Sequence, residues 1–481
     1  MRIVYFFRTL CVIILITLFS ISKANNVQIT GTSVSGSNIT FNISWDNSWN
    51  TNLAPNNWDA VWVFIKYQDC ATRLWNHANL STLISDHSAA SPLQVETVTD
   101  GKGVYIRRSA LGGGNIGATS ITLKMTIPAG TYNYKVFGIE MVKVLQENFD
   151  LGDGSSTGTY NSIAITATTQ ASGLSAAILG GGSVAVPSTF PMGYNDFYCM
   201  KYEITQEQYV EFLNTLTYDQ QKTRTVNDPI NAAGTYAMQA SYAYRNGIRI
   251  SVPGNNNTLP AVYACDATAG TENSTNDGQN IAANFLSWGD LTAYLDWSAL
   301  RPMTELEFEK ICRGPLPRVA GEYPWGTTAI QTANNLGVTS ALTATESYPT
   351  VANGMCAYNV QSAATGYGPL RVGIFATSTS GRASSGASYY GAMEMGGNVW
   401  EHIVSTASAA GVAFTGNNGD GTIDAVGEAN QTTWPAPTTA TGTGFRGGNY
   451  YDNATYVRTS DRGYIVVQTT RSFERGGRGV R

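Results

Sequence analysis

The first part of the chain alternates short apolar runs with turn residues, a pattern typical of β-strands. Ile39 to Trp45 alternates apolar and polar positions, as a half-buried strand should, and Ile121 to Ile127 does the same. Ala60 to Tyr67 is almost continuously apolar and predicts a buried central strand, and Tyr132 to Val142 predicts a further one. Short strands at this spacing predict an antiparallel, all-β sandwich domain over residues 25–150.

A different pattern follows this region. Residues 151–183 are rich in Gly and Ser and are interpreted as a linker. The remaining residues, 184–481, contain three helix-start signals in which Ser or Thr is followed three residues later by Gln, Asp or Glu. These pairs are Thr205 with Gln208, Ser287 with Asp290, and Thr304 with Glu307. Beyond Gly314 there is little periodicity, so loops, side-chain hydrogen bonds or metal ions must satisfy the backbone there.

Composition and the start of the chain indicate an exported protein. Only 13% of the 481 residues are charged, about half the usual level. Residues 1–24 are typical of a signal peptide, with basic residues first, an apolar run from Val12 to Phe19, and small residues at Ser22 and Ala24. The run is short for a membrane span, although an uncleaved anchor is the alternative. We expect a secreted, periplasmic or cell-surface protein with no transmembrane span after signal cleavage.

Charge and cysteine content exclude some further classes. The net charge is −5, and cleavage would make it more negative because the signal peptide carries only basic residues. A nucleic-acid partner is therefore not expected. The remaining cysteines are too scattered for a disulfide framework, although one Cys265–Cys356 bridge is possible. Residues 418–424 resemble part of an EF-hand calcium loop, but ordinary Asp-Gly turn chemistry explains them equally well.

Five segments within residues 184–481, in this order, resemble one protein family. They are Phe197–Thr205; Ser287–Trp297; Arg301–Glu309 with Tyr323–Gly326; Gly391–Glu401; and Phe445–Tyr450 with Gly477–Arg481. Together they resemble the formylglycine-generating enzymes, or sulfatase-modifying factors. The resemblance implies an α+β, C-type-lectin-like fold with little regular secondary structure, here preceded by the all-β sandwich domain. It also implies an exported setting, in agreement with the signal peptide.

The chemistry of that family needs two cysteines that this chain lacks. The family uses oxygen to convert a sulfatase cysteine to formylglycine, with two cysteines binding Cu(I) and the substrate thiol. The resemblance places those positions at Asp452 and Val457. Cu(I) prefers thiolates, so copper is not expected, and His402 alone cannot supply the three-histidine iron site of a sister branch. We expect a non-catalytic binding or structural module; the alternative is a divergent formylglycine-generating oxidase or sulfatase activator.

The resemblance also implies structural calcium. In the family, the segment that corresponds to Gly391–Glu401 surrounds a calcium ion with two side chains and two carbonyl groups. Carried over, these are the side chains of Glu394 and Glu401 and the carbonyls of Gly397 and Val399, and oxygen ligands suit a hard cation. A second family site would begin at Asn334. The alternative for Glu401 is a salt bridge or a capped turn.

A final set of residues forms the predicted binding surface, on and near the loop that follows Gly448. These residues are Asn449, Tyr450, Tyr451, Asp452, Arg458, Asp461 and Arg462. Aromatic, amide and Arg side chains are common at binding surfaces, so the ligand is expected to be a peptide, a glycan or another envelope protein. The alternative is that the Arg and Asp residues pair with each other and hold the loops.

Overall fold

The computed structural model describes residues 26–155, 158–240, 244–255, 259–333, 337–360 and 367–481. The predicted signal peptide lies outside these ranges. Within them, no helix combines the length and the apolar character needed to cross a lipid bilayer.

The N-terminal region consists mainly of strands, as the alternating pattern predicts. The strands are β1 (Gln28–Ser35), β2 (Asn38–Asn50), β3 (Asp59–Asp69), β4 (Trp75–His77), β5 (Asn79–Leu80), β6 (Ser88–Ala89), β7 (Leu93–Thr97), β8 (Val104–Arg108), β9 (Gly112–Thr126), β10 (Tyr132–Val144) and β11 (Phe149–Leu151), with a 3-10 turn at Ile84–Asp86. One sheet has the order β1-β2-β9-β5, with β6 also paired to β9. Strands β10, β3, β8 and β7 lie in a second sheet. The predicted β-rich N-terminal region is confirmed.

Strand β3 is buried on both of its faces. On one face, Val61, Val63 and Ile65 join the core between the two N-terminal sheets. On the other face, Trp62 and Phe64 join a larger core that also contains residues from the C-terminal part of the chain. Because successive side chains of a strand point to opposite faces, a strand between two cores must be apolar at nearly every position.

The rest of the chain contains short helices and short strands, in agreement with the predicted α+β class. These elements are β12 (Ile163–Ile165), α1 (Ala167–Ser172), α2 (Ala176–Leu179), β13 (Phe197–Met200), α3 (Gln206–Leu213), α4 (Tyr218–Arg224), β14 (Ile248–Val252), β15 (Val262–Cys265), α5 (Trp288–Trp297), β16 (Arg301–Pro302), α6 (Glu305–Arg313), β17 (Gln331–Thr332), β18 (Met355–Cys356), α7 (Arg382–Ser385), β19 (Trp400–Val404), α8 (Ala409–Val412), β20 (Thr443–Arg446), β21 (Arg475–Gly476) and β22 (Gly479–Val480). As predicted, regular structure is sparse in the described residues beyond Gly314.

The three helices predicted from capping signals are confirmed. Helices α3, α5 and α6 begin directly after Thr205, Ser287 and Thr304. In each helix the capping hydroxyl accepts a backbone hydrogen bond, and the side chain three residues later bonds back to the cap. Such reciprocal bonds satisfy two backbone N–H groups that a helix start otherwise leaves without partners.

The segment 151–183, interpreted as a linker, contains regular elements in the structure. Strand β11 pairs with β12, and helices α1 and α2 follow. Leu151, Tyr160, Ile165 and Leu179 are buried in the larger core. The Gly-rich segment is therefore packed against the core and is not an open linker.

The second sheet joins the N-terminal and C-terminal parts of the chain. Its order is β16-β22-β13-β10-β3-β8-β7. Strand β13 pairs antiparallel with the end of β10, from Met141 opposite Met200 to Val144 opposite Phe197. The predicted domains, residues 25–150 and 184–481, thus share one continuous sheet.

A buried lysine of the N-terminal region contacts the loop that resembles an EF-hand. The Lys66 Nζ donates hydrogen bonds to the carbonyl oxygens of Trp297, at 2.7 Å, and Gly421, at 2.5 Å. The Asp420 carboxylate accepts hydrogen bonds from the backbone and hydroxyl of Thr422, two residues later. These bonds join the loop to strand β3, so its Asp-Gly turn contributes to the contact between the two parts.

A buried ionic group also crosses the junction between β10 and β13. The Lys201 Nζ lies 2.9 Å from Glu140 Oε2 and 3.8 Å from Asp59 Oδ2, and all three side chains are almost completely buried. Removing one partner from a buried group leaves an uncompensated charge, which costs far more than the loss of an exposed pair.

Glu140→Ala is expected to lower the free energy of unfolding by about 3–5 kcal/mol, because Lys201 loses its nearest carboxylate. Lys124→Ala is the control, since Lys124 pairs with Asp86 at the surface and its loss should cost less than about 1 kcal/mol. Urea unfolding, followed by fluorescence and circular dichroism, measures both effects. A single transition is expected for the full chain; two separate transitions, or equal effects of the two variants, would contradict the shared sheet.

Candidate functional site

Two loops that carry family motifs are joined to each other and to a third loop at Val360 by backbone hydrogen bonds. The Gly397 N–H donates to the Gly447 carbonyl at 2.8 Å, and the Tyr450 N–H donates to the Asn398 carbonyl at 2.9 Å. The Val360 N–H donates in turn to the Tyr450 carbonyl at 2.9 Å. These bonds hold the segment predicted to bind calcium directly against the loop predicted to bind a ligand.

The backbone of the predicted calcium segment is strained. Glu394 and Asn398 have positive φ values of 51° and 63°, which residues with side chains rarely adopt. Gly397 has a φ of 77°, and a Cβ atom there would lie 2.3 Å from the Ala357 carbonyl oxygen. Strain of this kind concentrates at functional sites and persists only where the surroundings impose it.

The segment contributes two of three buried carboxylates that lie near one arginine. Arg478 donates from Nε to Glu401 Oε1 at 2.8 Å, so the salt bridge considered as an alternative for Glu401 is present. Glu203 Oε1 accepts the Val399 N–H at 3.1 Å. Glu394 Oε1 accepts the Gly373 N–H at 2.8 Å. The Oε2 atoms of Glu394 and Glu401 are buried and have no hydrogen-bond partner among the described residues.

The electrostatics of this carboxylate cluster (Glu203, Glu394 and Glu401) favour binding of a positive charge. Burial, together with repulsion from Glu401, raises the pKa of Glu394 to about 7, although Arg478 and Arg371 oppose the rise. Burial also raises the pKa of Glu203 well above its usual range. Three mutually repelling carboxylates in a dry environment are stabilised by any additional cation.

The donor set is partly suited to calcium. Two buried carboxylate oxygens without partners match the oxygen ligands that a hard cation prefers. No group of three His, Cys, Asp or Glu side chains among the described residues is arranged to hold a metal ion by itself. A cation here would therefore need backbone carbonyls, such as those predicted at Gly397 and Val399, or water as further ligands. Asn334, where the second calcium site was predicted to begin, lies outside the described residues.

The two positions where the resemblance predicts cysteines, Asp452 and Val457, lie beside the segment predicted to bind calcium, near Trp400 and Gly396. Val457 is fully buried and packs with Tyr323, Trp325 and Cys356. Asp452 accepts a hydrogen bond from Asn449 Nδ2 at 2.6 Å, and burial raises its pKa. A carboxylate and an isopropyl group do not fit Cu(I), which binds soft thiolates.

A buried thiol next to Val457, that of Cys356, does not replace the two copper-binding cysteines that the resemblance predicts. The Cys356 Sγ donates to the Gly396 carbonyl at 3.1 Å. Burial raises the pKa of Cys356 well above its usual range, which disfavours the thiolate. Cys265 and Cys356 are both free thiols, so the bridge considered from the sequence is not formed.

The seven residues of the predicted binding surface differ in exposure. Tyr451 is exposed, Asp452 and Arg458 are partly exposed, and Asn449, Tyr450, Asp461 and Arg462 are buried. The Asn449 Oδ1 accepts the N–H groups of Tyr451 and Asp452 and so holds the turn. Tyr450 packs in a core and donates to the Phe473 carbonyl at 3.5 Å. Asp461 accepts the Gly463 N–H.

Arg462 belongs to a buried ionic network that the sequence analysis missed. Its guanidinium donates to Glu305 from Nε at 2.6 Å and from Nη2 at 2.9 Å. Arg446 donates to Glu309 Oε1 at 2.8 Å, and Arg313 pairs with Glu309 at 3.2 Å. Glu305 and Glu309 are four residues apart in α6, and this spacing places them on one helix face. The spacing of Glu305 and Glu309 was the signal in the sequence that could have indicated a cluster of charges on this helix.

Aromatic rings lie around Asp452 on the outer side: Trp400 is buried, Tyr456 and Tyr464 are half-buried, and Tyr451 is exposed. The ring of Trp400 stacks on Tyr464 with centroids 5.1 Å apart and meets the Tyr456 ring edge-on at 5.6 Å. Trp400 lies beside Asp452 and opposes the rise of the Asp452 pKa. The exposed ring of Tyr451 lies edge-on to Phe473 at 5.7 Å. We call this group (Trp400, Tyr451, Asp452, Tyr456 and Tyr464) the aromatic surface.

The motif order, the capped helices and the joined loops define a domain of the sulfatase-modifying type. Residues 166–480 match the sulfatase-modifying factor enzyme 1-like domain, and the chain belongs to this family. The match begins within the segment interpreted as a linker and covers all five motifs except the last residue, Arg481. A comparison with curated proteins finds no match.

Acid sensitivity tests whether Arg462 is structural. Burial alone would raise the pKa of Glu305, but Arg462, assisted by Arg446, lowers it to about 2 from the ordinary 4.5. A carboxylate with a lowered pKa stabilises the fold above pH 4.5, and this contribution of about 3 kcal/mol is lost as the pH falls towards 2. Arg462→Ala should lower the free energy of unfolding at pH 7 by about 3–5 kcal/mol and reduce its acid dependence.

The control is Arg318→Ala, because the pair of Arg318 with Asp150 is partly exposed and should contribute less than about 1 kcal/mol. Urea unfolding between pH 3 and pH 7 measures both variants. An Arg462→Ala protein as stable as the control would show that Arg462 does not hold the fold.

Proposed function

We propose that this chain is an exported, non-catalytic binding or structural module built on a sulfatase-modifying-factor domain. The observation that carries the proposal is the donor set at Asp452 and Val457, where copper chemistry needs two thiolates. Val457 is sealed in an apolar cluster and Asp452 is bonded within its own loop. The residues present at these positions serve packing and turn formation.

The proposed fold of the C-terminal domain is C-type-lectin-like. Its support is the combination of short strands, few helices and long loops that are held by buried side-chain bonds. Such a scaffold can present variable loops on a rigid base, as binding proteins require. Export is supported by the pattern of residues 1–24 and by the low charge of the chain.

The aromatic surface is the proposed binding face of the family domain. Aromatic rings supply contact area with little loss of conformational entropy, and Asp452 adds one hydrogen-bond acceptor. A peptide, a glycan or another envelope protein would satisfy this combination of flat rings and a carboxylate. Tyr451 is the residue with the most freedom to contact a partner, since it is 40% exposed.

The proposal includes one structural calcium ion at the carboxylate cluster. Glu394 and Glu401 would each provide the oxygen that lacks a partner, and the carbonyls of Gly397 and Val399 would complete the set with water. A calcium ion would offset the repulsion that raises the pKa of Glu394. Its role would be to rigidify the segment that is bonded to the ligand-binding loop.

Glu394→Gln is expected to abolish stabilisation by calcium. The amide keeps an oxygen for the Gly373 N–H but carries no charge, whereas Glu401→Ala would also leave Arg478 without its partner. At about 100-fold excess of calcium over its dissociation constant, the native chain should gain about 2.7 kcal/mol relative to chelator, and the variant should gain almost none.

The control variant is Asp420→Asn, which removes a carboxylate from the loop that resembles an EF-hand. Thermal unfolding in calcium and in chelator should show the full difference for this control. If Glu394→Gln is still more stable in calcium than in chelator, Glu394 is not the ligand. If Asp420→Asn is no longer more stable in calcium, the ion is bound by the loop that resembles an EF-hand.

The chain supplied with Cu(I), oxygen and a cysteine peptide is expected to yield no formylglycine. Metal analysis and mass spectrometry of the peptide measure this directly. The double variant Asp452→Cys, Val457→Cys is the matched control, because it restores two sulfur donors and should bind Cu(I) more tightly than the native chain. Copper bound at one ion per native chain, together with an aldehyde product, would favour the divergent oxidase or sulfatase activator.

A further inference from the structure

A large cleft lies where the N-terminal strands meet the family domain, on elements separate from the aromatic surface and the carboxylate cluster. It has a volume of about 800 Å³. One wall consists of residues 26–29, which lead into β1, and a second is β10 from Tyr134 to Gly138. The third wall is the start of α3, with Thr205, Glu207 and Glu211.

The cleft occupies a gap in the eight-stranded sheet. Strand β3 pairs with β10 from Tyr132 to Val142. On the opposite edge of β10, β13 pairs only with Met141 to Val144. After Lys201 donates its N–H to the Glu140 carbonyl, the chain leaves the sheet and enters α3. Among the described residues, no strand pairs with the stretch from Tyr134 to Gly138 on this edge.

The backbone groups that point into the gap follow from strand geometry. In an antiparallel pair, the N–H and C=O of one residue point to the same side and alternate along the strand. The Glu140 carbonyl points towards β13, so the backbone groups of Tyr134, Val136 and Gly138 point to that side too. Within the described chain, none of these three residues has a hydrogen bond on that edge.

This open edge is recessed, unlike the outer strand of an exposed sheet. Val136 is buried, and Tyr134 and Gly138 are half-buried. The Val27 side chain packs over Gly138, where a Cβ atom would lie only 2.9 Å from it. Backbone N–H and C=O groups require partners when they are sheltered from bulk water. A recessed open edge therefore favours a ligand that has strand-like backbone groups of its own.

The wall formed by α3 adds a negative charge. Glu211 pairs with Lys135 across the cleft at 3.3 Å. Glu207, one turn earlier, is exposed and forms no ion pair with a described residue. Partial desolvation by the walls of the cleft raises the pKa of Glu207, and repulsion from Glu211 raises it further. The positive charge of Lys135 opposes the rise. A cationic side chain placed beside Glu207 would relieve this repulsion.

We propose that this cleft binds an extended peptide segment, which adds a strand to β10 along Tyr134–Gly138 and places a Lys or Arg side chain beside Glu207. Five residues of strand span about 17 Å, which sets the length of the segment that pairs. The unpaired backbone groups repeat at every second residue, about 6.8 Å apart, and this spacing matches a polypeptide strand. The amide side chains of Gln28, Gln208 and Asn273 also line the cleft and place further polar groups beside the added strand.

The first test uses a labelled heptapeptide of alternating Val and Thr with one central Lys. Fluorescence anisotropy with the full chain should show saturable binding below about 1 mM. N-methylation of alternate peptide amides, or exchange of the Lys for Glu, should weaken binding about tenfold or more. Absence of saturable binding, or equal binding of the N-methylated peptide, would overturn the proposal.

The second test uses two matched variants of the protein. Glu207→Gln should weaken binding of the Lys peptide by roughly threefold to tenfold. Asp219→Asn is the control, because Asp219 is an exposed carboxylate in the first turn of α4, as Glu207 is in the first turn of α3. Equal effects of the two variants would overturn the assignment of Glu207.

Amide hydrogen exchange distinguishes strand addition from other binding. With the peptide bound, the amides of Tyr134, Val136 and Gly138 should gain protection, while Lys135 and Phe137, whose amides face β3, should change little. Protection of all five amides alike, or binding without protection, would overturn the proposal. Competition by a neutral oligosaccharide, without protection of the three amides, would assign the cleft to a glycan instead.

Discussion

The C-terminal domain depends on the pairing of charges that its interior contains. Helix α6 is buried along its whole length although it contains three Glu, one Lys and one Arg. Glu305 and Glu309 are neutralised by Arg313 of the same helix and by Arg446 and Arg462, which come from other parts of the domain. A buried charge without a partner is far more costly than a lost apolar contact. This network therefore fixes the relative positions of loops that have few strand or helix hydrogen bonds.

The same constraint joins the two parts of the chain. Lys201 lies in a family motif, but its nearest carboxylates, Glu140 and Asp59, come from the N-terminal strands. The shared sheet and the two-sided burial of β3 act in the same direction, because one face of β3 is covered by residues of the C-terminal part. The N-terminal region is thus part of the scaffold that supports the family domain. The gap beside β10 exists because β13 ends at Met200 and the chain then turns away from the sheet into α3.

The family domain is present in this chain, and we propose that the chemistry at its centre differs. The resemblance predicts cysteines at Asp452 and Val457, which lie on or near the loop that is bonded to the strained segment predicted to bind calcium. An apolar cluster and a bonded turn occupy that place, and the nearby carboxylates offer hard oxygen donors. Hard and soft donors select different metals. We therefore propose structural calcium and surface recognition as the functions of this domain.

Local signals in the sequence were sufficient for the β-rich N-terminal region, for helices α3, α5 and α6, and for the family, because periodicity, capping pairs and motif order depend on near neighbours. The same signals could not show that the Gly-rich segment 151–183 is packed, that Arg462 pairs with Glu305, or that β10 keeps an open edge above Glu207. Each of these depends on residues far apart in the chain, and the partner of a buried charge or of a strand edge is decided only when the tertiary structure brings those residues together.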